Sequence, residues 1–130
     1  MKLTQVKEAC LYVQDLDRTL DFYHHKLGLP VISMVKGRHV FFRVGTQIFL
    51  CFNPDVTRHD TQMPPHFGTG QLHLAFEAEE GTYETWKEKL IAQGIPVEQE
   101  QTWREGRKSF YFRDPDQHCI EIVEPGIWGF

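Results

Sequence analysis

Among the side chains able to bind a divalent metal ion, Glu8, His73 and Glu121 stand out, each alternating with large apolar residues in a strand-like run. Carboxylate and imidazole are ordinary ligands for Mn, Fe, Co, Ni or Zn. Three protein ligands leave coordination positions open for water or substrate, as in a catalytic rather than a structural site. An ion held that way acts as a Lewis acid, polarising a substrate oxygen and stabilising an adjacent anion. Two carboxylates and an imidazole gathered on a partly buried surface are costly unless a cation compensates them.

Strand alternation is what would gather them. In residues 6–14, VKEACLYVQ, the side chains of Ala9, Leu11 and Val13 share one face, and Glu8, Cys10 and Tyr12 share the other. In residues 71–78, QLHLAFEA, Leu72, Leu74 and Phe76 alternate with Gln71, His73 and Ala75. In HCIEIVE, Ile120 and Ile122 alternate with Cys119, Glu121 and Val123. Large aliphatic faces must pack on helices, so Glu8, His73 and Glu121 are expected on the opposite, concave face.

The helices follow in order. Asp15 is a good N-cap for a helix carrying Leu16, Leu20, Tyr23 and Leu27, with Phe22 at its margin; Gly28 and Pro30 end it. Strand-like runs follow at residues 31–35, 39–44 and 47–52, separated by the pairs Gly37-Arg38 and Gly45-Thr46. The second half repeats the order. Thr82 stands before a helix bearing Tyr83, Trp86 and Leu90, which Gly94 and Pro96 end, and runs at 97–100, 108–113 and 118–123 follow. Leu27-Gly28-Leu29-Pro30-Val31 matches Gln93-Gly94-Ile95-Pro96-Val97. The expected fold is α+β: two βαβββ modules, residues 5–53 and 71–124, joined by a Pro- and Gly-rich linker at 54–70, forming one curved sheet around a cup within a single domain, 1–130.

Bulk properties narrow the function classes. The 130 residues are 41% apolar and 25% charged, the balance of a globular protein. A net charge of −4 lacks the basic excess of a nucleic-acid-binding domain. No apolar run nears the roughly 20 residues that cross a bilayer, and nothing resembles a secretory leader. Three cysteines without CxxC spacing suit reduced thiols, so a cytoplasmic setting is expected.

The stretch VKEACLYVQDL, followed by Phe22-Tyr23 and Leu27-Gly28-Leu29, resembles the opening of vicinal-oxygen-chelate proteins, the glyoxalase/bleomycin-resistance/dioxygenase type. SFYFRDPDQHCIE, residues 109–121, resembles their closing signature. The resemblance implies a divalent metal in the cup, with the family's first-, fifth- and last-strand ligands falling on Glu8, His73 and Glu121. It implies a homodimer and a small-molecule substrate. A fourth family ligand falls on Phe49, which cannot bind metal, so a three-ligand site like that of fosfomycin-resistance enzymes is closer than glyoxalase I. The tail after Glu121 nevertheless lacks the basic residue those enzymes use for a phosphonate. Glu8 in place of the more usual histidine moves the chain away from extradiol dioxygenases. The expected function is a metal-dependent lyase or transferase with Glu8, Glu121 and Tyr111 as catalytic groups. The alternatives are a metal-free protein that sequesters a drug-like molecule, and a ring-cleaving dioxygenase.

Other residues are candidates for the pocket. Tyr12 and Tyr111 fall on concave faces and carry hydroxyls for hydrogen bonding or proton transfer. Trp103 and Ser109 bracket a basic loop from which Arg104, Arg107 or Lys108 would meet an anionic substrate group. His66 and Phe67 are candidates for a lid, and the apolar tail Ile127-Trp128-Gly129-Phe130 suits covering a subunit partner or the cup mouth.

Overall fold

A computed structural model describes all 130 residues. The chain forms two compact units, Met1–Gly70 and Gln71–Phe130. Each carries a four-stranded mixed sheet with a helix against one face, which is the α+β, twice-βαβββ fold expected from the sequence. No helix is long and apolar enough to cross a membrane.

In the first unit the strands are β1 (Glu8–Tyr12), β2 (Val31–Val35), β3 (His39–Val44) and β4 (Gln47–Phe52), ordered β1-β4-β3-β2. β1 runs parallel to β4, and the other pairs are antiparallel. Helix α1 (Leu16–Leu20) starts where Asp15 accepts a hydrogen bond from the Arg18 amide at 3.0 Å. It continues as a wider π-helical stretch, Asp21–Lys26, in which the Leu27 amide reaches back five residues to Phe22. That widening corrects the marginal place expected for Phe22: Phe22 and Tyr23 are both buried against the sheet. Gly28, at φ +81°, turns the chain out of the helix. Tyr23 packs edge-on against Phe49, with ring centroids 4.9 Å apart, over a core of Leu11, Val13 and Phe42.

In the second unit β5 (His73–Glu77), β6 (Gln99–Thr102), β7 (Lys108–Arg113) and β8 (Cys119–Val123) are ordered β5-β8-β7-β6, with β5 parallel to β8. Helix α3 (Tyr83–Ala92) lays Tyr83 on Phe110 at 5.3 Å, above Phe112, Ile120 and Leu90. Thr82 stands at its N-cap but donates its hydroxyl to the Glu79 carbonyl instead of capping the helix. β6 begins two residues later than the run expected at 97–100, because Pro96 and Val97 are spent returning from the helix. Its sequence, QEQT, is exposed throughout and has no apolar alternation to read.

The segment after β4 is not irregular throughout. Asn53 caps a short helix α2 (Pro54–Thr57), accepting from the Asp55 amide at 3.0 Å. The turn between β2 and β3 spans Lys36-Gly37-Arg38, one residue more than expected, closed by the Arg38 amide on the Val35 carbonyl. Gly45-Thr46 is the expected two-residue turn.

Candidate active site

Parity places three chemistry-bearing side chains on the face of the second sheet opposite α3. Phe110, Phe112, Ile120 and Ile122 face the helix; Tyr111 on β7 and Glu121 on β8 therefore face away from it, and His73 on β5 joins them. Register puts Tyr111 directly opposite Glu121, and Ala75 on Glu121's other side. The small Ala75 leaves room for the His73 ring to reach across. His73 Nε2 lies 3.3 Å from Glu121 Oε2.

The protonation pattern around this pair is informative. His73 Nδ1 is 2.9 Å from the Cys119 carbonyl oxygen, which only accepts, so Nδ1 carries a proton. In the neutral imidazole, Nε2 then presents a lone pair to a carboxylate oxygen. Two acceptors facing each other at that distance need a proton or a cation between them. Glu121 is buried, with 8% of its side chain exposed, while His73 is half exposed. Bonds of ~2.1 Å to a single ion would set two donor atoms about 3.0–3.4 Å apart. The pair fits two ligands of one ion, and the Nδ1–carbonyl bond is the kind of outer contact that orients a ligating histidine. No group of three or more His, Cys, Asp or Glu side chains able to hold an ion gathers anywhere in the chain.

Behind the pair runs a hydrogen-bonded chain. Trp103 Nε1 donates to Ser109 Oγ at 2.8 Å. The Ser109 hydroxyl and Glu121 in turn bond Tyr111. Burial lifts the Tyr111 phenol above its ordinary range; the Ser109 hydroxyl opposes the shift, and the bond to Glu121 adds to it. Tyr111 is thus a neutral donor aimed at the carboxylate.

A cavity of about 710 Å³ opens on this face. His73, Tyr111 and Glu121 line it together with Trp103, Arg104, Val123 and, from the tail, Ile127 and Trp128. That volume lies in the range of small-molecule sites.

The remaining candidates are placed differently. Ser109 is fully buried behind Trp103 and holds that ring instead of facing the cavity. Lys108 shares the face of Phe110 and Phe112, away from the cavity. Arg107 is committed to Glu80 at 2.9 Å. Of the three cations in the loop, Arg104 is the one that lines the cavity. Sequence reasoning offered it only as one of three, because a loop has no period from which to read direction.

Glu8 and Tyr12 belong to the first unit. Glu8 is exposed on β1, on the face opposite Leu11. The Tyr12 hydroxyl lies 2.7 Å from His66 Nδ1, and His66 packs against Phe52 at 4.8 Å. His66 is thereby tied down, while Phe67 sits exposed under the Arg58 guanidinium. Phe49 is not the counterpart of a last-strand ligand. It faces α1, and the residue matching Glu121 in register is Leu50, which pairs with Cys10 as Glu121 pairs with Ala75. Neither side chain binds metal. The three cysteines are free.

The sequence profile of the Glyoxalase/Bleomycin resistance protein/Dioxygenase superfamily matches residues 5–122. The chain belongs to this superfamily. Among superfamily relatives, a metallothiol transferase FosB of Staphylococcus epidermidis is 30% identical over 128 residues, covering 94% of this chain and 82% of that protein. A glutathione transferase FosA of Serratia marcescens is 27% identical over 92% of this chain and 80% of its own length. The crystal structure of a lactoylglutathione lyase from Agrobacterium tumefaciens superposes with a TM-score of 0.94 at 34% identity, covering all of both chains.

Proposed function

We propose that this chain is a metal-dependent enzyme acting on a small organic molecule, with His73 and Glu121 as two ligands of a divalent ion. The observation that carries this reading is the approach of His73 Nε2 to Glu121 Oε2 at 3.3 Å, the spacing of two ligands of one ion, beside a cavity. When bound, Mn, Fe, Co, Ni or Zn would supply Lewis acidity toward a substrate oxygen. The protein's own groups do the rest. Tyr111, a neutral phenol held by Ser109 and Glu121, is the hydroxyl that donates a hydrogen bond or a proton to the substrate. Glu121 is a carboxylate of the cavity able to receive a substrate proton. Val123, Ile127 and Trp128 give the same cavity an apolar wall for the body of the substrate. The names of the relatives make a metal-dependent thiol transfer and a glutathione-linked lyase reaction the first two to assay. We propose that the enzyme is a homodimer in the cytoplasm.

A metal-free sequestering protein is the second reading, favoured by the absence of any three-ligand group and by the aromatic lining. Metal analysis of untagged protein, with calorimetric titration of Mn, Co, Ni and Zn, separates the two. Wild type should take up one ion per chain. Glu121→Ala and His73→Ala should lose that binding while keeping the wild-type circular dichroism spectrum. A wild type with no affinity for these ions establishes the second reading instead.

A further inference from the structure

The cavity of the second unit is polarised along its sheet. At one level Tyr111 faces Glu121, with His73 reaching to the carboxylate. Two residues further along the same strands Ser109 faces Val123, and Trp103, bonded to Ser109, stands at that level with Arg104 next in sequence. Two strand positions separate the levels by about 7 Å.

The far end carries an arginine without a carboxylate partner; Arg43 on β3 is another, and it donates to the Gly45 carbonyl instead. Arg38, Arg58, Arg107 and Arg113 each meet a carboxylate. Arg104 has no ion pair, and it lines the cavity. A tight turn presents it. The Trp103 amide donates to the Arg107 carbonyl at 2.6 Å, the Arg107 amide to the Arg104 carbonyl at 3.2 Å, and Glu105 is held at φ +56°, a conformation costly for a residue with a Cβ. The Trp103 ring is fixed through Ser109. Trp128 lines the same cavity, an indole 80% exposed in the free chain. A ligand that fills the cavity strips water from the guanidinium, and an anion compensates that loss best through paired N–H donors. Glu77 also lines the cavity, on β5, without forming an ion pair to Arg104.

We infer that Arg104 binds an anionic group of the substrate and that the apolar body of the substrate lies on Trp103 and Trp128. The substrate class is an organic anion, a carboxylate or phosphonate, whose charge stands about one aromatic ring or a short chain from its reacting oxygen. This names the substrate for the metal-dependent reading above and rests on it only for the assignment of the reacting end.

Two of the three tryptophans, Trp103 and Trp128, line the cavity, so intrinsic fluorescence reports occupancy without any activity assay. The probes are benzoate, phenylphosphonate, neutral benzamide and cationic benzylamine, titrated in EDTA so that no metal contributes. The two anions should bind at least about tenfold more tightly than benzamide, and benzylamine most weakly. Arg104→Gln should erase the anion preference, Arg104→Lys should restore part of it, and Trp128→Ala should weaken anions and benzamide alike. Whichever anion binds tighter identifies the substrate group as carboxylate or phosphonate. Benzamide or benzylamine binding as tightly as the anions, or an anion preference surviving in Arg104→Gln, overturns the role of Arg104. Undiminished binding in Trp128→Ala overturns the apolar wall. Metal titration of Arg104→Gln keeps the readings apart. An anion preference in a wild type that takes up no metal sinks the metal site alone, and metal uptake without the preference sinks this inference alone.

Discussion

His39 shows how a single buried polar atom shapes stability. Its side chain stacks on Phe41 with ring centroids 3.8 Å apart, Nε2 lies 2.9 Å from the Ser33 hydroxyl, and Nδ1 is buried without a partner. Burial, followed by the nearby Arg38 charge, lowers its pKa below the ordinary histidine value. The unfolded chain binds a proton there near pH ~6.5, the folded chain only at lower pH. The contribution of His39 to stability is therefore complete above that value and declines as pH falls through the interval below it. Urea midpoints at pH 7.5 and pH 5 should show the gap between wild type and His39→Gln narrowing in acid; a gap that stays constant or widens refutes the assignment. At this scale the sequence was readable where a strand imposed alternation. Glu121, His73 and Tyr111 fell on one face by parity alone, and the structure puts them in one cavity. It was unreadable in the loop from Trp103 to Lys108. There the direction of Arg104 depends on a left-handed residue at Glu105, and the burial of Ser109 depends on one indole hydrogen bond.

Elements were legible in proportion to their periodicity. β2, β3, β4 and β7 stand where apolar alternation and Gly-containing turns put them. The π-helical widening after Leu20 left no mark, since one extra residue in a turn shifts a 3.6-residue pattern only from margin to face. The segment after α2 is a related case. It reads as connector, yet Gly68 lies so close to Tyr12 that an added Cβ would meet ring carbons Cδ2 and Cε2 at 2.8 and 2.9 Å. Moving the ring would break the Tyr12–His66 bond. Gly68→Ala should therefore destabilise the chain by about 1–3 kcal/mol, the usual cost of overpacking. Chemical denaturation of a double-mutant cycle with Tyr12→Ala locates the cause: the penalty should vanish once the ring is gone. An equal penalty in both backgrounds would place the strain elsewhere.

For the whole molecule, duplication was visible because each copy repeats the same order of periods and stop signals. Association was not, because which apolar residues stay exposed depends on which strand becomes an edge. The tail, expected to cover a subunit partner or the cup mouth, places Ile127 and Trp128 along the second-unit cavity and leaves Trp128 and Phe130 exposed. An exposed apolar strip lies on β2, one edge of the first sheet, where Ile32 and Met34 are 50% and 40% exposed and Val35 adds to them. An edge strand offers unpaired backbone donors and acceptors, and apolar side chains beside them favour pairing with another chain over solvation. β2 itself, VISMV, carries no charge to oppose such pairing; the first is Lys36, in the turn that follows. The homodimer proposed above should therefore assemble through β2. Sedimentation velocity at tens of micromolar should give twice the 15.3 kDa chain mass for wild type and the chain mass for Ile32→Lys/Met34→Lys. Those side chains are solvated in the free chain, so the substitutions should leave its circular dichroism unchanged. A wild type that sediments as a monomer removes the dimer, and a double variant that still sediments as a dimer moves the interface away from this edge.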